Sequence, residues 1–194
     1  MAINPHIFRE FSIRGVADQD LTDDTVQLIG QAAGIFFKNH QQTTLVVGRD
    51  VRLSSPRISQ ALINGLLAAG INVCDVGQVP TPVHNFATDF YGADGGIMIT
   101  ASHNPPPDNG MKMRAEHPLQ GSELQEIYQL AINLPAITAE PGTVETVDPL
   151  PHYFEAITKL AVPGKPLRVI VDGGNGTNGK IVSKLLQSLG HAVA

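Results

Sequence analysis

From residue 22 onward, short apolar runs alternate with helix-length amphipathic segments, each pair separated by turn residues. A strand–helix–strand rhythm of this kind admits few architectures: the strands form one sheet and the helices cover its faces. Thr22 is placed to cap a helix whose positive end Asp23 and Asp24 complement. Val26, Ile29, Ala33, Phe36 and Phe37 then share one face. Thr44–Val47 reads as a strand, and Ser54, Ser55 and Pro56 open the next helix, with Ser54 or Ser55 as its cap. Strands are expected at Ile71–Val76 and Gly96–Thr100, a helix at Thr81–Tyr91, a short strand at Met111–Arg114 and a helix at Gly121–Ala131. Gly96–Thr100 is continuously apolar, the pattern of a strand buried on both faces. The fold class that follows is α/β, a layered α/β/α domain with a mostly parallel mixed sheet, over residues 1–134.

Periodicity then fades. Prolines 135, 141, 149 and 151 punctuate a stretch read as a linker over 135–150. Residues 151–194 resume the rhythm with a helix at His152–Leu160, a strand at Leu167–Val171, a glycine-rich turn and a helix at Thr177–Leu189. His191–Ala194 resembles the start of another strand. About 45 residues with so few strands cannot enclose a core, so this part reads as the truncated start of a second, similar α/β domain.

Composition narrows the function classes. A net charge of −5 argues against a nucleic-acid groove, which needs clustered Lys and Arg. The longest apolar stretch, Ala61–Val73, is too short and too interrupted to span a bilayer, and the N-terminus has no signal-peptide pattern. The single cysteine, Cys74, precludes a disulfide framework and reads as a buried structural thiol. The expectation is a soluble, cytoplasmic protein with neither a nucleic-acid nor a membrane partner.

The chemistry concentrates in residues 96–112. A buried strand delivers the chain to a polar loop, and ligands collect beyond the carboxyl ends of strands in open α/β sheets. Pro105, Pro106 and Pro107 stiffen that loop, holding Ser102 on an exposed turn. A hydroxyl there can accept a phosphoryl group, whose charge needs cations nearby; His103, Lys112 and Arg14 are available. The same residues also suit ordinary turn capping and surface solvation. Arg49 and Asp50 read as an internal ion pair.

Residues 100–105, Thr-Ala-Ser-His-Asn-Pro, resemble the phosphoserine-loop signature of the α-D-phosphohexomutases, the phosphoglucomutase/phosphomannomutase family. Other segments are similar in the family's order. They are residues 8–15 (F-R-x-x-x-I-R-G), 48–55 (G-R-D-x-R-x-S-S), 80–82 (P-T-P), 109–112 (N-G-x-K) and 171–176, the opening of the second domain. Met111 stands where the family commonly has an aromatic residue, and Pro106 and Pro107 are additional.

The resemblance implies that Ser102 is the phosphorylated serine and that an oxygen of its phosphate ligates Mg²⁺. It implies that Lys112 and Arg14 surround the reacting hydroxyl, with Lys112 as general acid/base, and that His103 and Asn104 shape the loop and bind phosphate. The implied reaction interconverts hexose 1-phosphate and hexose 6-phosphate through a hexose 1,6-bisphosphate. A phosphosugar is thus the implied partner, together with the remaining domains of the enzyme. The family's D-G-D-G-D metal loop is not in these residues. A fragment without it is expected to be inactive alone. Two alternatives stand beside this reading. One is a dinucleotide-binding oxidoreductase fragment, because Gly174, Gly176 and Gly179 match G-x-G-x-x-G. The other is a non-catalytic phosphosugar-binding domain.

Overall fold

The apolar runs lie side by side in a computed structural model of the chain, which describes residues 3–138, 140–162 and 164–194. Strands β1 (Ile13–Val16), β2 (Thr44–Arg49), β3 (Asn72–Gln78), β4 (Gly95–Ile99), β5 (Asp108–Arg114) and β6 (Val144–Thr146) form one sheet in the order β1-β5-β4-β2-β3-β6. β4, β2, β3 and β6 run parallel, while β5 is antiparallel to both β4 and β1. The sheet is therefore mixed and mainly parallel. Helices α1 (Asp23–Asn39), α2 (Ser55–Ala68), α3 (Thr81–Phe90) and α4 (Ser122–Ile132) connect the strands.

Strand alternation assigns the helices to layers. Leu45, Val47, Val73, Ile97 and Ile99 point into one buried cluster with residues of α1, α2 and α4. Val46 and Val76 point the other way, against Val83 and Ala87 of α3. Helix α5 (Leu150–Leu160) joins this second layer through Leu150 and Tyr153. The Thr22 cap forms as its sequence suggests, its hydroxyl accepting from the Thr25 amide at 3.3 Å. Close packing of α1 on α2 depends on Gly30 and Gly65, where an added Cβ would lie within 2.6 Å of the Leu62 carbonyl or 2.3 Å of the Gln27 carbonyl.

Several local expectations are corrected. β1 has no counterpart in the periodicity, because only Ile13 of its four residues is fully buried. β5 begins at Asp108, three residues before the expected strand. Segment 135–150, of which residue 139 lies outside the described residues, carries β6; all three residues of that strand are exposed. Gly142 and Thr143 dock it through bonds to the Leu67 carbonyl and the Asn72 side chain. Arg49 pairs with Asp75 at 3.4 Å, and Asp50 with Arg52 at 3.4 Å, so the two neighbours do not pair with each other. As successive residues at an extended strand end, they point their side chains to opposite faces. Neither Ser54 nor Ser55 caps α2. Ser54 stands at the cap position without a side-chain cap bond, and the Ser55 hydroxyl donates to Asp50 at 2.6 Å. Cys74 is only part-buried; burial, then Glu145 and Asp75, push its thiol pKa up.

In the second unit, β7 (Arg168–Val169) and β8 (Ala192–Val193) pair in parallel across α6 (Gly179–Ser188). His191–Ala194 is thus paired within the chain.

Candidate active site

All five residues of β4 are buried, and its last residue, Ile99, accepts the Asp50 amide at 2.9 Å. The strand is thereby fixed beside the end of β2, and the loop at residues 100–107 starts from a rigid edge. Ser102 adopts φ +55, the left-handed region. A non-glycine residue there costs about 1–2 kcal/mol, so neighbouring contacts must hold it. The Thr100 hydroxyl accepts the Ser102 amide at 2.9 Å, and Asn104 N–H closes a turn onto the Ala101 carbonyl at 3.0 Å. The Ser102 hydroxyl lies 3.3 Å from His103 Nδ1.

Two arginines brace the loop. Arg14, on β1, donates to the Ala101 carbonyl at 2.8 Å and to Asn104 Oδ1. Burial, then the nearby Arg9 and Arg52 charges, lower its pKa, with Asp108 opposing. Arg52, just beyond β2, donates to the carbonyls of Pro105 (2.8 Å), Asp108 (2.9 Å), Ser102 (3.1 Å) and Asn104 (2.6 Å). Asn104 Nδ2 donates to Asp108 at 2.8 Å. Behind the loop, the fully buried Asn109 donates to Ser54 at 2.8 Å and Ser55 at 3.0 Å, tying β5 to the start of α2.

Ser102 faces a cavity of about 610 Å³ lined also by Asp50, Arg52, Asn104, Pro80–Pro82 and the glycine run at residues 173–178. The Thr177 hydroxyl accepts the Val51 amide at 3.1 Å, drawing the second unit's glycine turn to this cavity. Lys112 lies in a neighbouring hollow of about 550 Å³ with Phe11, His84 and Arg114. Thr81 and Met98 line both spaces. The structure thus gathers Ser102, His103, Asn104 and Arg14 in one loop assembly, with Lys112 on the adjoining side. Arg14 sits on the loop's backbone instead of in the cavity lining. Arg52 received no role from the sequence reading, although it stands within the G-R-D-x-R segment; its carbonyl acceptors lie 50–56 residues away.

Comparison with known proteins places this architecture. The model of "Phosphoglucomutase/phosphomannomutase, alpha/beta/alpha domain I" matches residues 5–135. The chain belongs to the phosphoglucomutase/phosphomannomutase family. It is 40% identical over 187 residues to a phosphomannomutase/phosphoglucomutase of Pseudomonas aeruginosa, covering 96% of this chain and 40% of that protein. It is likewise 40% identical to a phosphomannomutase of Vibrio cholerae over 92% of this chain and 40% of that one. A crystal structure of a phosphoglucomutase/phosphomannomutase family protein from Burkholderia thailandensis superposes with a TM-score of 0.92 at 36% identity, over 100% of this chain and 44% of that chain. The chain therefore spans about 40% of the length of the curated relatives it matches. The glycine run at 174–179 falls within the phosphoglucomutase/phosphomannomutase likeness, which leaves the dinucleotide alternative without an observation of its own.

Set against Mg²⁺, the donor set of this phosphoglucomutase/phosphomannomutase domain does not fit. Among the described residues no three His, Cys, Asp or Glu side chains cluster as a metal group. The carboxylates flanking the loop are engaged: Asp50 with Arg52 and Ser55, Asp108 with Asn104. A phosphate on Ser102 would add one oxygen, too few for an octahedral ion. Among the described residues no helix is long and apolar enough to cross a membrane.

Proposed function

We propose that the full-length protein containing this chain is a phosphohexomutase that interconverts hexose 1-phosphate and hexose 6-phosphate, with Ser102 as the phosphoryl carrier. The observation that carries the reading is Ser102 itself. A left-handed, braced residue at the carboxyl end of β4 lines a cavity within a family-typical loop. Backbone strain at a residue that carries a reactive side chain is common at functional sites.

In the proposed reaction a sugar hydroxyl attacks the phosphorus of phosphoserine. A new sugar O–P bond forms, the Ser102 Oγ–P bond breaks, and the hydroxyl proton passes to a base. The product is a hexose 1,6-bisphosphate. After the sugar turns over, Ser102 Oγ attacks the other phosphate, and the sugar oxygen that leaves takes up a proton. Such transfers depend on positioning and charge compensation. Lys112, exposed beside the cavity, is the proposed acid/base group; His103 contacts the serine hydroxyl and can orient it. Arg14 holds the loop through the Ala101 carbonyl and the Asn104 side chain and places positive charge behind it. Mg²⁺ would add Lewis-acid stabilisation of the phosphoryl charge, on ligands supplied largely from outside this chain. Residues 1–134 form the proposed phosphoserine domain, 135–150 the connection and 151–194 the start of a second domain, in a cytoplasmic protein whose partners are the phosphosugar and its own remaining domains.

The test is peptide mass spectrometry of the full-length protein after incubation with a hexose 1,6-bisphosphate. One added phosphate on Ser102, and loss of mutase turnover in Ser102→Ala, are expected. Unimpaired turnover by Ser102→Ala would refute the assignment.

A further inference from the structure

Arg52 is a cation in the lining of the Ser102 cavity, the usual mark of a phosphate ligand. Its hydrogen bonds say otherwise. Nη1 donates to the Pro105 and Asp108 carbonyls, and Nη2 to those of Ser102 and Asn104. These four bonds engage all four N–H groups on the terminal nitrogens. The remaining nitrogen, Nε, lies 3.4 Å from Asp50 Oδ2. Asp50 is itself held, accepting the Arg52 amide at 3.0 Å and the Ser55 hydroxyl at 2.6 Å. Both side chains of the pair are largely withdrawn from solvent, at 14% and 12% exposure. Arg14 differs: its bonds use Nη1 and Nε, and its Nη2 has no partner among the described residues.

We infer that Arg52 is a positioning residue for phosphoryl transfer at Ser102. Its guanidinium, bridging four carbonyls of the 102–108 loop and anchored by Asp50, holds Ser102 in its left-handed conformation facing the cavity, and it does not bind the substrate's phosphate. The planar fork is what the task requires. Four carbonyls from one short loop converge on one group, including the carbonyl of Ser102 itself, so the backbone at the reacting residue is tied directly to the β2–α2 corner. A lysine in this place would keep the charge but offer three donors from a single nitrogen, and could not span the same set.

The inference rests on Ser102 being the phosphoryl carrier, and the experiment separates the two claims. Unaltered full-length protein, Arg52→Lys and Arg52→Ala are each loaded with isotopically labelled hexose 1,6-bisphosphate. Two quantities are read: the final stoichiometry of label on Ser102, and the single-turnover rate constant for transfer from labelled Ser102 to hexose 6-phosphate. Steady-state kcat and KM complete the set. Both variants are expected to reach the unaltered stoichiometry while the per-site transfer constant falls on the order of 100-fold, as for a displaced reacting group. KM should move by less than about threefold, since no ground-state contact with substrate is lost. Should Arg52→Ala give no folded protein, Arg52→Lys decides. Overturning results are a per-site rate in Arg52→Lys within about threefold of the unaltered protein, a rise in KM at unchanged kcat, or a fall in stoichiometry at an unchanged per-site rate. The second would make Arg52 a substrate ligand and the third merely a folding residue. Absence of label on Ser102 in the unaltered protein would overturn the carrier assignment and this inference together.

Discussion

Replacing Ser102 by glycine and, separately, by alanine isolates the strain stored at the loop. Both variants lose the hydroxyl, whose side-chain partner is His103 Nδ1 at 3.3 Å in an exposed setting, so that loss cancels between them. They differ in backbone preference. At φ +55 a residue with a Cβ carries a penalty of about 1–2 kcal/mol, which glycine escapes. Glycine in turn loses about 0.5–1 kcal/mol more conformational entropy on folding than alanine. The difference leaves Ser102→Gly more stable than Ser102→Ala by roughly 1 kcal/mol. For a chain of this size that corresponds to about 2–4 °C in Tm. Urea unfolding of both variants under identical conditions measures it directly. Ser102→Gly should also match or exceed the unaltered protein in stability while transferring no phosphoryl group, the exchange of stability for function expected at a strained site. If Ser102→Gly unfolds at the same or lower urea concentration than Ser102→Ala, the left-handed backbone is not a store of strain, and the braces on the loop hold nothing that would otherwise relax.

Two further outcomes follow from the layer beneath the site. A Cβ at Gly96 would lie 2.7 Å from His84 Cε1 and 2.9 Å from Thr88 Oγ1, both buried. Gly96→Ala should therefore destabilise by about 2–4 kcal/mol from overpacking plus a weakened His84–Val46 bond, read by urea unfolding; His84→Ala in the same chain should recover part of it, and equal stability of Gly96→Ala and the unaltered protein would contradict the packing argument. His84 is 1% exposed, and burial leads the causes that lower its pKa, with Arg114 adding to the effect and bonds to Asn85, Val46 and Ile97 opposing it. A depressed histidine pKa means that the unfolded chain takes up the proton first. This contribution is present above the ordinary value of about 6.5 and is lost as pH falls below it, by at most about 1.4 kcal/mol per pH unit. Urea unfolding at pH 7.5 and 5.5 should show a smaller pH difference in His84→Gln than in the unaltered protein; an identical difference would remove His84 from the account.

Local pattern alone determined much of this molecule. The apolar runs that became β2, β3 and β4, the helical faces of α1 and α2, and the Thr22 cap are all encoded by residues within a few positions of one another. So is the polar loop after a doubly buried strand, which made Ser102 a candidate, and its likeness to a known signature extended the reading to the family. Tertiary structure decided what depends on distant partners. β1 and β6 bury too little apolar surface to show a period, and exist because β5 and β3 offer free edges. The reversal of β5 follows from the short loop that joins it to β4, and β1 then pairs antiparallel along its other edge. Arg14 and Lys112 read alike in sequence as cations near a phosphate. In the fold, Arg14 grips the loop from below, while Lys112 stands in the adjoining hollow. Arg52 is the sharpest case. Its neighbours along the chain gave it no role, because its acceptors are backbone carbonyls half a hundred residues away, and carbonyls are the same in every residue. No choice of side chains on the acceptor side marks such a contact; it arises only when β2 and β4 lie parallel and bring their carboxyl ends together.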